Sequence, residues 1–62
     1  MPQTIFSEDF NLAFYLRDDI LMSAPYSPTS FQVEFDQETT VDSWVEESQQ
    51  DAIEDIRNSL SQ

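Results

Sequence analysis

Apolar residues from Val41 to Leu60 fall at Val41, Trp44, Val45, Ala52, Ile53, Ile56 and Leu60, with Ser48 and Ser59 at small positions between them. That interval is close to 3.6 residues and gathers the side chains on one broad face, so it predicts an amphipathic helix, most clearly over 49–60. Thr39 or Thr40 stands where a cap would accept from the first free N–H groups, and Asp42 follows Thr39 at the capping-box interval. A shorter helix remains open, with residues 41–47 as a strand and Ser48 as the cap before Gln49-Gln50-Asp51.

The first half of the chain carries two conflicting patterns. Ser7 followed by Glu8 and Asp9 is a helix-start signal, and good helix formers continue toward Pro25, which predicts a helix over 7–23. The same stretch alternates at Phe10, Leu12, Phe14 and Leu16, which predicts instead a strand, a turn at Arg17-Asp18-Asp19 and a second strand from Ile20. The chain contains no Gly. Tight hairpin turns need positive φ, which Gly adopts most easily, so its absence weighs toward the helix. Residues 25–29 predict a loop, and Phe31, Val33 and Phe35, alternating with Gln32, Glu34 and Asp36, predict a half-buried strand. The expected fold is a small single α+β domain over residues 1–62, mostly helical, with one short strand and a C-terminal amphipathic helix. The alternative is an antiparallel sheet plus one C-terminal helix.

Sixty-two residues allow one modest core, burying roughly 60% of the surface that the unfolded chain exposes. No Cys and no His are present, which removes disulfides, thiolate and imidazole chemistry and the usual zinc ligands. The opening MPQTIFSEDF has no basic region followed by a continuous apolar run, so no signal peptide is expected. The apolar runs Leu12 to Leu16 and Ile20 to Met22 are too short to span a bilayer. A soluble, cytoplasmic protein without a membrane partner is the expectation.

Charge changes this picture most. Thirteen acids face Arg17 and Arg57 alone, for a formal net charge of −11. Residues 1–31 hold Glu8, Asp9, Asp18 and Asp19, while the remaining acids follow from Glu34 onward, so the C-terminal half is the acidic half. Such a surface repels nucleic acid and anionic lipid and attracts basic surfaces at long range.

Catalytic chemistry is not expected. The pairs Glu8/Asp9, Asp18/Asp19, Glu46/Glu47 and Glu54/Asp55 are adjacent in sequence, and neighbours on a helix diverge by about 100°. No calcium-loop pattern, Gly-rich phosphate cradle, Lys, or Ser beside a plausible base accompanies them, so no enzyme activity, metal or cofactor is predicted. The aromatic residues Phe6, Phe10, Phe14, Tyr15, Tyr26, Phe31, Phe35 and Trp44 are expected in the core. A base-stacking platform would come with Arg and Lys to follow phosphates.

The acids remain as the candidate site. On a helix through residues 41–60, Glu46, Glu47, Asp51 and Glu54 project away from the apolar stripe, with Asp42 and Asp55 beside them and Glu34, Asp36 and Glu38 leading in. Acids three to five residues apart on a helix rise by about 5 to 7 Å, a ladder that can stand in for duplex phosphates in a basic cleft. In size, charge, lack of Cys and the acidic tract Glu34 to Asp55, the chain resembles the small acidic DNA-mimic proteins of phages and mobile elements, including anti-CRISPR and anti-restriction proteins. The resemblance implies an inhibitor that binds a nucleic-acid-binding effector through a basic protein surface and blocks substrate loading.

Two shorter resemblances stand beside it. The stretch DAIEDIRNSL, Asp51 to Leu60, looks like the helix that follows the sheet in HicB-type antitoxins, which implies neutralisation of a basic ribonuclease toxin. The letters YSPTS within Ala24 to Phe31 match the start of the heptad in the tail of eukaryotic RNA polymerase II. A single copy framed by Pro25 and Pro28 reads as a turn instead. Acids interspersed with Phe10, Leu12, Phe14 and Leu16 leave open a third class, an acidic docking or activation module that folds on its partner.

Overall fold

Two hairpins built without glycine open the chain. In the computed structural model, which describes residues 3–61, strand β1 (Thr4–Ser7) pairs antiparallel with β2 (Leu12–Arg17), and β2 pairs antiparallel with β3 (Ile20–Pro25). The first turn spans Glu8 to Asn11. The Ser7 hydroxyl accepts the Phe10 N–H at 3.3 Å, and Asn11 takes φ 56°. The second turn has two residues, Asp18 and Asp19, at φ 52° and 65°, the paired positive values of a type I′ turn. Asn and Asp tolerate the left-handed region better than other residues with a Cβ, so they serve where glycine is lacking.

The helix expected over 7–23 therefore does not form, and the competing hairpin reading describes these residues. The fold is α+β, an antiparallel sheet with one C-terminal helix; the expectation of a mostly helical chain is corrected. Ser7 does act as a local acceptor, but it closes a turn.

The sheet has the order β1-β2-β3-β4, with β4 (Thr39–Thr40) pairing through Met22↔Thr40 and Ser23↔Thr39. Helix α1 (Gln50–Leu60) and the turn segment before it lie on one face of the sheet. Phe14, Leu21, Val41, Ile53 and Leu60 form the buried cluster there. On the opposite face Tyr15, Met22 and Ala24 pack against Val33, so the segment after β3 makes a third layer. Burial on both faces explains why β2 and β3 read as nearly continuous apolar runs.

The strand expected at residues 31–35 is also corrected. Only Val33 joins a bridge, to Tyr26, while Phe31 sits at φ 57° and Phe35 starts a 3-10 turn over Phe35–Gln37. The position beside β3 is held by β4, which leaves Phe31 and Phe35 without a ladder and 58% and 53% exposed. The loop expected at 25–29 starts later, since Pro25 ends β3 opposite Leu12 and Tyr26 bridges Val33, and the turn itself falls within residues 27–32. It is closed by Ser27 N–H to the Gln32 carbonyl at 2.9 Å and Phe31 N–H to the Ser27 carbonyl at 2.7 Å.

The C-terminal helix begins later than the apolar spacing suggests. Val41–Ser43 is a 3-10 turn, and the N–H groups of Trp44 and Val45 both return to the Val41 carbonyl, at 3.1 and 2.9 Å. Glu46 is then extended, at φ −100° and ψ 159°, and a second 3-10 turn over Glu47–Gln49 leads into α1. Val41, Trp44 and Val45 thus reach the same core from a turn, which is why they share the helix's spacing. The cap is neither Thr39, Thr40 nor Ser48. Glu46 and Gln49 form the capping-box pair, in which Glu46 N–H donates to Gln49 Oε1 at 2.9 Å.

Candidate acidic interface

Burial of Ile53 and Leu60, with Ile56 and Arg57 half-buried, fixes which side of α1 meets the sheet. Asp51, Glu54 and Asp55 are left exposed. Asp51 lies in the first turn, where its charge complements the helix dipole, and Arg57 lies in the last. Asp51 and Asp55 are one turn apart, about 6 Å along the axis. Glu46 and Glu47 are exposed in the lead-in, and Asp42 is exposed in the 3-10 turn at Val41–Ser43. The structure thus brings Glu46, Glu47, Asp51, Glu54 and Asp55 together on one capped segment, with Asp42 just before it.

Glu34, Asp36 and Glu38 belong elsewhere. They sit in the third layer, on the opposite face of the sheet, where Phe35 packs edge-on against Tyr15 at 5.4 Å between ring centroids. Glu34 and Asp36 are exposed there. Glu38 is engaged within the molecule: its carboxylate accepts the Tyr15 hydroxyl and pairs with the Arg17 guanidinium, which lies 5.8 Å from the Tyr15 ring centroid. Burial, helped by donation to Glu38 and by that carboxylate's charge, pushes the Tyr15 phenol up to about 12, and Arg17 opposes the shift. Arg17 is therefore spent on Glu38. Among the described residues no group of three or more acidic side chains stands close enough to share a metal ion.

Two surface features were not anticipated from the sequence. A groove of about 440 Å³ runs between β1, the first turn and α1. Ile5, Phe6, Phe10, Ala52 and Ile56 line it, with Glu8, Asp9 and Asp55 among its walls. Across the sheet, Phe6 meets Tyr26 and Phe31 at centroid distances of 4.9 and 5.1 Å, and the rings of Tyr26 and Phe31 stack at 6.2 Å and 13°. Phe6 and Phe31 are consequently surface residues, contrary to the expectation that all the aromatic side chains are core. Both features arise from pairing between segments distant in sequence, and only the hairpin register announces them.

Among the described residues no helix is long and apolar enough to cross a membrane. Comparison of the chain with family models, curated proteins and solved structures finds no match.

Proposed function

We propose that this protein is an inhibitor that binds a basic, nucleic-acid-binding protein and occupies its DNA or RNA site. One observation carries the reading. Glu46, Glu47, Asp51, Glu54 and Asp55 are all exposed on a single capped segment, and no basic residue occurs between Arg17 and Arg57. An ordinary solvated helix face mixes both signs. A one-sign array held on a packed helix offers a basic cleft the charge of a phosphate backbone without the conformational cost of ordering a flexible acidic chain. Such a DNA-mimic, anti-CRISPR or anti-restriction type of role would place the protein in the cytoplasm with its target. Neutralisation of a basic ribonuclease toxin is a second reading that uses the same surface, and it is favoured by the position of Asp51 to Leu60 as a helix that follows a sheet.

The test begins with capture of the partner from host lysate and identification by mass spectrometry. Its affinity is then measured across a salt series, with and without its own nucleic acid. Binding should weaken steeply with salt and compete with DNA or RNA. Replacing Glu46/Glu47 and Asp51/Glu54 in pairs by their amides should slow association. Salt-insensitive binding, or simultaneous binding of nucleic acid at undiminished strength, overturns the proposal.

A further inference from the structure

Strand β1 is the outer strand of the sheet, and among the described residues no strand pairs with its other edge. On such an edge alternate residues turn their N–H and C=O groups outward, and proteins commonly blunt it with Lys, Pro or a bulge. Thr4-Ile5-Phe6-Ser7 has no charge and no Pro, and its register with β2 is unbroken. The groove between β1 and α1 opens beside this same strand, with an apolar floor that includes Ile5, Phe10 and Ile56. Glu8, Asp9 and Asp55 stand on its walls, all three exposed.

Charge selects the occupant. A second copy of the chain would bring another −11 to an acidic groove, and the two would repel. A cationic segment is drawn to it by the same field.

We propose that the open edge of β1 and the adjoining groove receive an extended, basic segment of a partner protein as an added strand. Its backbone pairs with the outward N–H and C=O groups of β1. Its side chains on the face turned toward α1 place apolar groups over Ile5, Phe10 and Ile56 and, between them, Lys or Arg against Glu8, Asp9 and Asp55. Strand addition draws affinity from main-chain hydrogen bonds and selectivity from alternate side chains, which is the division of labour this edge offers. The surface shares only Asp55 with the acidic array of α1, and the inference stands whether or not the partner binds nucleic acid.

The probe is a ten-residue peptide in which Val and Lys alternate along one face with Thr between them, compared with the same peptide carrying Pro at one central Val. Both have equal charge, but Pro removes a backbone donor and is excluded from a paired strand. Amide exchange and chemical shifts of the isotopically labelled protein are recorded with each. The alternating peptide should slow exchange of the β1 amides that point away from β2, and the Pro peptide should bind about tenfold more weakly. The combined variant Glu8→Gln, Asp9→Asn, Asp55→Asn should lose about tenfold in affinity for the alternating peptide, while Asp51→Asn with Glu54→Gln should change it less than about twofold. Equal affinity for both peptides, or binding that perturbs residues 46–54 and leaves β1 unprotected, overturns the proposal. A peptide bound as a helix, or β1 amides already protected in a dimer of the free protein, overturns it as well.

Discussion

The indole N–H of Trp44 donates to the hydroxyl of Ser23 at 2.9 Å, tying the turn before α1 to the middle of β3. Ser23 is 1% exposed and also lies within reach of Thr39, at 3.3 Å to its hydroxyl and 3.5 Å to its carbonyl. Among the buried residues it is the polar one, and it satisfies the one indole that packs on the core, where Trp44 meets Phe10 and Phe14 at 5.8 and 6.3 Å. Ser23→Ala leaves that N–H without its acceptor. A loss of about 1 to 2 kcal/mol is expected in denaturant unfolding, with a shift in Trp44 fluorescence. Unchanged stability would show that water replaces the hydroxyl freely.

Asp18 and Asp19 hold the β2–β3 turn in a conformation that glycine adopts without strain, and they do so as neighbouring like charges. Asp18→Asn together with Asp19→Gly should raise stability by about 1 kcal/mol, read as a higher thermal midpoint. A lower midpoint would mean that the aspartates make turn contacts worth more than the strain they carry.

Much of the C-terminal element is legible in the sequence, and much of the N-terminal half is not. Ile53, Ile56 and Leu60 recur at helical spacing because one face of α1 is buried and the other is not. In β2 and β3 both faces are buried, so Ala13 and Tyr15 fill the gaps in the alternation of Leu12, Phe14 and Leu16, and the strands it announces compete with a helix reading of the same residues. The lack of Gly misled for a physical reason: the left-handed positions fall on Asn11, Asp18, Asp19 and Phe31. The exposure of Asp51, Glu54 and Asp55 is readable because it follows from the apolar stripe of α1, whereas Asp42, Glu46 and Glu47 are exposed on the turns before it. The engagement of Glu38 was not, since its partners Tyr15 and Arg17 are distant in sequence and meet it only through the sheet.

The Tyr15 phenol, raised from an ordinary value near 10.0 to about 12, makes stability depend on alkaline pH. The unfolded chain releases this proton first, so above pH 10 the folded state binds more protons and stability falls as pH rises. The contribution is complete below pH 10 and is lost progressively between 10 and 12. Tyr15→Phe should flatten the unfolding free energy over that window. A wild-type profile that is level from pH 10 to 12 would contradict the assignment.

Repulsion among thirteen acids is relieved here by a single described ion pair, Arg17 with Glu38. Raising NaCl from about 0.15 M to 1 M shortens the screening length from about 8 to 3 Å and should lift the thermal midpoint, although it weakens that pair. A midpoint that falls with salt would place the balance of charge on the attractive side.

The two coverings of the sheet differ in what holds them. The helical side is anchored by Phe14, Leu21, Val41, Ile53 and Leu60, whereas the third layer is held by Val33 and its bridge to Tyr26, by the rings of Phe35 on Tyr15 and of Phe31 on Phe6 and Tyr26, and by the latch of Glu38 onto Tyr15 and Arg17. The acids are divided between these two supports. Under the proposed function, Asp51 and Glu54 would meet a partner from a packed helix and lose little freedom on contact, while Glu34 and Asp36 stand on irregular and 3-10 backbone over the other face of the sheet.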